Sequence, residues 1–125
     1  MKKIQLIIER GPDKKFWGRI LIEDNLIVDS AETVGELDLK MKALLNQFHD
    51  MNIEQLDHAY DISAFFDNFK FLNQSKIAQL TNINASLLRQ YSSGNKFPSF
   101  KQTQKIEHAI HQLAKELSMV TLISG

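Results

Sequence analysis

The sequence predicts an α+β protein in which a βββαβ half precedes an all-α half. Short β-rich runs separated by turn residues open the chain, and an amphipathic helical pattern follows them. From Ser63 onward the apolar residues recur at helical spacing almost to the end. We therefore expect two domains, residues 1–62 and residues 63–125.

The composition is that of a globular protein without cysteine. The chain has 125 residues, of which 43% are hydrophobic and 24% charged, and it contains no cysteine. Disulfide frameworks and thiolate zinc sites are thereby excluded. No apolar run is long enough to cross a bilayer, and the N-terminal segment becomes charged too early for a signal peptide. We therefore expect a cytoplasmic protein.

The net charge of zero conceals an asymmetry between the two halves. Residues 1–62 hold eight Lys/Arg and twelve Asp/Glu, a net charge of −4. Residues 63–125 hold seven Lys/Arg and three Asp/Glu, a net charge of +4. The net charge of a domain indicates the charge of the partners that it attracts, and it does not indicate the fold. The two halves are expected to meet different partners.

Four strands and one helix are predicted in the first half. Apolar residues alternate from Ile4 to Ile8, and two further β-rich runs follow the turn signals at 11–13 and 23–25, which favours an antiparallel meander. Thr33 and Glu36 form a capping box that begins a helix. The apolar stripe of this helix is Leu37, Met41, Leu44, Leu45 and Phe48. The alternation Leu56, His58, Tyr60 and Ile62 predicts a strand returning to the sheet.

Two short helices joined by a tight turn are predicted between residues 72 and 99. Ser75 is expected to open the first helix, and its inward residues are Ile77 and Leu80. Asn84 is expected to cap the second helix, whose inner face is formed by Leu87, Leu88 and Tyr91. Such a pair crosses steeply, as in DNA-binding helix-turn-helix units.

The second helix is expected to end at Gly94, which accepts the left-handed conformation. A last helix begins at the box formed by Ser99 and Gln102. Its apolar stripe is Ile106, Ile110, Leu113, Leu117 and Val120.

The outward face of the second helix carries residues that suit a DNA major groove. Arginine can bind guanine through two hydrogen bonds, glutamine can do so with adenine, and small residues permit close approach. The outward residues are Ala85, Ser86, Arg89 and Gln90. Lys76, Asn95 and Lys96 flank this helix and are expected to contact phosphates. The sequence therefore predicts binding to double-stranded DNA.

Enzyme and metal sites are not predicted. Two-metal nuclease chemistry needs several converging carboxylates, and Glu23, Asp24 and Asp29 cluster at a hairpin without a partner. His108 and His111 lie one helical turn apart, but a third ligand is missing. We expect no catalytic residues, no metal and no cofactor.

A family resemblance supports the DNA-binding interpretation. The segment from Leu72 to Ser99 resembles the helix-turn-helix of the phage-repressor (Cro/C1, XRE) family, and both Gln74 and the exit from Gly94 to Pro98 match its pattern. The whole chain resembles HicB-type antitoxins that carry a C-terminal DNA-binding domain. The residues that carry this second resemblance are those at 16–20 and 31–37.

The resemblance implies a division of labour between the halves. The first half would be a degenerate ribonuclease H-like domain that sequesters a small basic HicA-like toxin, which cleaves messenger RNA. The second half would repress the shared operon, with Gln74 as a further phosphate contact. The DNA-binding residues expected from residue chemistry and resemblance together are Gln74, Lys76, Asn84, Ala85, Ser86, Arg89, Gln90, Asn95 and Lys96.

Two functions are compatible with these patterns. The first is an antitoxin whose acidic half neutralises a toxin and whose basic half binds operator DNA. The alternative is a free-standing repressor whose βββαβ domain oligomerises or senses a ligand. Both imply a homodimer or a higher homo-oligomer, because repressors of this architecture use two-fold symmetry to recognise palindromic operators.

Overall fold

The computed structural model describes residues 4–125, which form two compact units divided between Lys70 and Phe71. The described part of the first unit contains β1 (Gln5–Arg10), β2 (Phe16–Ile22), β3 (Asn25–Ala31), α1 (Val34–Phe48), β4 (Asp57–Tyr60) and α2 (Ile62–Asn68). The second unit contains α3 (Gln74–Thr81), α4 (Ala85–Ser92) and α5 (Phe100–Ser118). The predicted α+β class is confirmed.

The four strands form one mixed sheet in the order β3-β2-β1-β4. β1, β2 and β3 are the predicted antiparallel meander. β4 returns beside β1 and runs parallel to it, with His58 opposite Leu6 and Tyr60 opposite Ile8. A parallel neighbour requires a crossover connection, and α1 supplies it.

One face of the sheet is covered by α1, which packs on β2 and β3. Thr33 caps the helix as predicted, since its Oγ1 accepts a hydrogen bond from the Glu36 amide at 3.1 Å. The core between helix and sheet includes the fully buried side chains of Leu6, Ile8, Ile20, Leu37, Met41 and Leu45. Phe48, predicted in this stripe, is instead 67% exposed. It is the last residue of α1, so the helix extends past the surface that covers its inner face.

Gly18 allows α1 to approach β2 closely. A Cβ atom at this position would lie 2.8 Å from Leu6 Cδ1 and 3.0 Å from Leu37 Cδ2. Both neighbours are fully buried, so they have little room to move. Glycine, which has no side chain, therefore allows the helix to pack on the strand at this distance.

The helix α2 belongs to the first unit, although the sequence placed the boundary between Ile62 and Ser63. It packs on β1 and β4. The Tyr60 ring meets the rings of Phe65 and Phe69 edge-on, with centroids 5.9 and 5.8 Å apart. The change in the spacing of the apolar residues from strand to helix marks the end of β4. The compact unit continues to Lys70.

An ion pair also joins α2 to the sheet. Arg10 Nη1 lies 2.9 Å from Asp67 Oδ2, and both side chains are about three-quarters buried. The Arg10 guanidinium also stacks over the Phe16 ring, 4.9 Å from its centroid. These contacts bind α2 to the first two strands.

Two predictions about α3 are wrong in detail. The helix is capped by Asn73, whose Oδ1 accepts from the Lys76 amide at 3.2 Å, rather than opened by Ser75. Leu80 was expected to face inward but is 60% exposed. Thr81 is buried in its place, because its hydroxyl donates to the Ile77 carbonyl at 2.8 Å and so needs no water.

The apolar stripe of α5 is only partly covered. Ser99 caps the helix as predicted, accepting from the Gln102 amide at 3.2 Å. Ile106 is buried, and Ile110 and Leu113 are half-buried. Leu117 is exposed, and Val120 lies beyond the end of the helix and is exposed too. The prediction of one continuous core face therefore fails in the C-terminal part of the stripe.

No helix among residues 4–125 is long and apolar enough to span a membrane.

Candidate nucleic-acid interface

The turn between α3 and α4 consists of residues 82–84 and is fixed by hydrogen bonds at both ends. Asn82 adopts the left-handed conformation, with φ at 57°, and terminates α3. The Ile83 amide donates to the Ala78 carbonyl at 3.1 Å. Asn84 caps α4 as predicted, accepting from the Ser86 amide at 2.8 Å. The direction of α4 relative to α3 is thereby set by local chemistry.

α4 has one buried face and one polar face. Leu88 and Tyr91 are buried, and Leu87 is half-buried. Of the residues expected to face outward, Ser86 and Arg89 are exposed, whereas Ala85 and Gln90 are half-buried. The exposed part of the helix therefore presents a hydroxyl and a guanidinium, with the Gln90 amide beside them.

The chain leaves α4 through a fixed loop. Gly94 has a φ of 83° and donates its amide to the Tyr91 carbonyl at 3.2 Å. The amides of Asn95 and Lys96 both donate to the Gln90 carbonyl, at 3.0 and 3.2 Å. The left-handed glycine is as predicted. These bonds hold the exposed side chains of Asn95 and Lys96 at the C-terminal end of α4.

Gln74 makes a contact that the sequence did not predict. Its Oε1 accepts a hydrogen bond from the Ser92 hydroxyl at 3.0 Å, which joins the first residue of α3 to the last residue of α4. The bond occupies the carbonyl oxygen and leaves the amide N–H groups as donors for an anion. Asn84 likewise uses its side-chain oxygen as a cap, so both residues have structural roles.

Ser93 is a further candidate that sequence reasoning missed. It lies four residues after Arg89, is exposed, and its hydroxyl donates to the Gln90 carbonyl at 3.2 Å. Residues four apart share a helix face. The helical spacing from Ser86 and Arg89 is the sequence signal that identifies it.

The cations around α4 form no ion pair with another described residue. Every ion pair between described residues joins side chains of the first unit. Lys76, Arg89 and Lys96 are exposed and make no ion pair within residues 4–125. Residues 71–125 hold six Lys/Arg and two Asp/Glu, a net charge of +4. These cations are therefore available to phosphates.

Lys96→Ala is expected to reduce the salt dependence of DNA binding. One phosphate contact contributes about 0.9 to the log–log slope of affinity against salt, because one counterion is no longer released. We expect a similar loss on every DNA sequence. The measurement is a gel-shift titration at several salt concentrations, with Lys115→Ala in the last turn of α5 as control. A loss confined to one sequence would mean that Lys96 contacts a base instead.

A second polar cluster lies between α1 and β4 in the first unit. His58 Nε2 is 2.7 Å from Asp38 Oδ1, and Lys42 Nζ is 2.6 Å from Asp38 Oδ2. Burial opposes the ionisation of Asp38, but the hydrogen bonds from Lys42 and His58 outweigh it and hold the pKa of Asp38 below its ordinary value. The cluster borders a groove of about 630 Å³ lined by Gly35, Asp38, Leu39, Lys42, Gln55, Leu56, Asp57 and His58. The contact between Asp38 and His58 joins α1 to β4.

The residues considered for metal binding do not assemble into a site within the described chain. Residues 4–125 contain no group of three or more His, Asp or Glu side chains that could hold a metal ion. His108 and His111 are exposed on α5. Glu23, at the β2–β3 turn, has a left-handed backbone with φ at 54° and an exposed side chain.

The sheet face opposite α1 carries exposed apolar side chains. Alternate residues of β2 and β3 point to this face, where Leu21 lies opposite Leu26 and Arg19 opposite Val28. Leu21 and Leu26 are 71% and 62% exposed, and Trp17 and Val28 are also exposed. We call Trp17, Leu21, Leu26 and Val28 the outer sheet face. It is an apolar surface on a unit whose charge is negative.

Comparison with known proteins adds no family assignment. No family model, no curated protein and no solved structure matches this chain.

Proposed function

We propose that this protein is a DNA-binding repressor that reads operator DNA with α4. The observation that carries the proposal is the exposed polar face of α4, on which Arg89 has no partner within the described chain and which Lys76 and Lys96 flank. Arginine is the side chain that most often reads guanine, through O6 and N7. The α3–α4 pair then acts as a helix-turn-helix.

The dimensions of α4 fit this role. An α-helix with its side chains is about 10–12 Å across, so the major groove, roughly 12 Å wide, can admit it. α4 has eight residues, which gives about two helical turns to lie in the groove. Ser86, near its N-terminus, permits close approach, as does Ala85. Asn95 and Lys96 are held at its other end, where they would contact the backbone and fix the register.

We further propose that the first unit binds a small basic protein and that the whole chain is an antitoxin of the HicB type. The resemblance of residues 16–20 and 31–37 to that family supports this proposal. A net charge of −4 on the first half favours encounter with a basic partner, and the outer sheet face offers apolar area for burial. The mixed sheet with α1 would then be the degenerate ribonuclease H-like domain.

A selection experiment tests the DNA-binding part. The full chain is incubated with a pool of random DNA duplexes, and the bound fraction is amplified and sequenced over successive rounds. We expect one enriched site that competes for the protein better than unrelated duplex at the same salt. Equal affinity for enriched and random duplexes would contradict sequence-specific repression.

A second experiment separates the antitoxin from a free-standing repressor. The chain is co-expressed with the protein encoded beside it, and RNA cleavage, growth and complex formation are measured. We expect a small basic protein that cleaves messenger RNA and is neutralised by this chain. A Leu21→Ser/Leu26→Ser variant should lose neutralisation and retain DNA binding. If the neighbouring gene encodes no such protein, the first unit serves oligomerisation or ligand sensing instead.

A further inference from the structure

The C-terminal end of the chain carries a concentrated, uncovered apolar surface. Five large aliphatic or Met side chains between residues 117 and 123 are 58–88% exposed: Leu117, Met119, Val120, Leu122 and Ile123. No charged residue follows Glu116 in the sequence. We call these five residues the terminal patch. Exposed large apolar side chains concentrated in one short segment indicate an interaction site.

The spacing of the α5 stripe explains where the patch comes from. Ile106, Ile110, Leu113 and Leu117 follow one another along α5 at intervals of four, three and four residues, the spacing of a coiled-coil seam. Val120 continues this spacing three residues later, beyond the end of α5. The first part of the seam is covered within the second unit, where α5 packs on α3. The last part has no cover among the described residues. An apolar helix face that extends beyond the core of its own domain can pack against another helix.

The segment after α5 adds backbone groups to this surface. Residues 120–125 belong to no helix or strand, and the backbone of Thr121, Leu122 and Ile123 makes no hydrogen bond to described residues. The run Val-Thr-Leu-Ile is rich in residues that favour strands. Two such segments can pair with each other, because antiparallel pairing is self-complementary.

We propose that the terminal patch binds the same patch of a second copy of this chain. A two-fold interface brings identical residues together, so an uncharged apolar surface is complementary to itself. A surface without charged residues also offers nothing to select a charged partner. The occupant that fits best is therefore another copy.

The available area is sufficient for such an interface. Burying one large aliphatic side chain removes roughly 60–120 Å² from water. Ten side chains, five from each copy, give roughly 600–1,200 Å² before the half-buried Ile110 and Leu113 are added. A specific interface needs roughly 1,000 Å² in total. The patch reaches that range without contributions from the first unit.

The mass of the full chain in solution tests the proposal without DNA. We expect light scattering at micromolar concentration to give twice the chain mass of 14.4 kDa. A Leu117→Ser/Leu122→Ser variant should give the mass of one chain, with unchanged helical circular dichroism because both side chains are exposed. The matched control is Leu21→Ser/Leu26→Ser on the outer sheet face, which should keep the mass of two chains.

Three results would overturn the proposal: a single-chain mass for the unsubstituted protein, a double mass that survives in the Leu117→Ser/Leu122→Ser variant, or a single mass in the sheet-face control. If the terminal variant loses helical signal, hydrogen exchange on the unsubstituted chain decides. Amides of residues 120–123 should be protected at high concentration and lose protection on dilution, and unchanged exchange would refute the interface. Because neither measurement uses DNA, failure here is distinct from failure of the repressor proposal.

Discussion

Arg89→Ala is expected to weaken binding to the selected operator by about 1–3 kcal/mol, which is about 5- to 140-fold in affinity. The Arg89 side chain is exposed and unpaired in the described chain, so its removal should leave the fold intact. The loss should be accompanied by relaxed preference at one guanine position, because the two hydrogen bonds to O6 and N7 disappear together. Gel-shift titrations on the operator and on single-base variants measure both effects.

Arg89→Lys is the matched control for this substitution. Lysine keeps the positive charge but cannot form the planar pair of hydrogen bonds that arginine makes with guanine. If Arg89 reads a base, the Lys variant should recover the salt dependence of binding and not the base preference. Full recovery of affinity and preference by lysine would show that Arg89 contacts phosphate, and equal affinity of Arg89→Ala and the unsubstituted chain would refute its assignment.

The elements that the sequence predicted well are those set by local chemistry. Thr33, Asn84 and Ser99 cap their helices through one side-chain oxygen each, and Gly94 has the left-handed backbone expected of it. These features depend on residues within four positions of one another. These features can therefore be predicted from a single sequence.

The features that the sequence did not predict depend on what covers each face. Periodicity placed Phe48, Leu80 and Leu117 on apolar faces, yet all three are exposed. Helical spacing says which residues share a face, but the extent of the neighbouring element decides where that face stops being covered. Thr81 is buried instead of Leu80, because the Thr81 hydroxyl donates a hydrogen bond to the Ile77 carbonyl one turn earlier.

The domain boundary differs from the prediction for a related reason. Charge and period both change near residue 62, but α2 packs on the strands that precede it. Period reports the secondary structure of a segment, whereas membership of a domain depends on contacts between segments. The hydrogen bond between Gln74 and Ser92 could likewise not be predicted from the sequence, because it joins residues eighteen positions apart on two different helices.

Leu88→Ala, one residue before Arg89, is expected to destabilise the second unit strongly. Leu88 is fully buried in the core of that unit, and replacing a buried leucine with alanine costs about 2–5 kcal/mol through lost burial and the cavity left behind. Domain stabilities are only about 5–15 kcal/mol, so the loss should lower the urea midpoint of α3, α4 and α5 markedly. Urea titration followed by circular dichroism measures it, with Leu80→Ala as the control because that leucine is largely exposed. Under conditions where the Leu88→Ala variant is still folded, its operator affinity should match that of the unsubstituted chain, whereas the Arg89→Ala variant should keep its stability and lose affinity. A Leu88→Ala variant as stable as Leu80→Ala would contradict the burial of Leu88 in the core of the second unit.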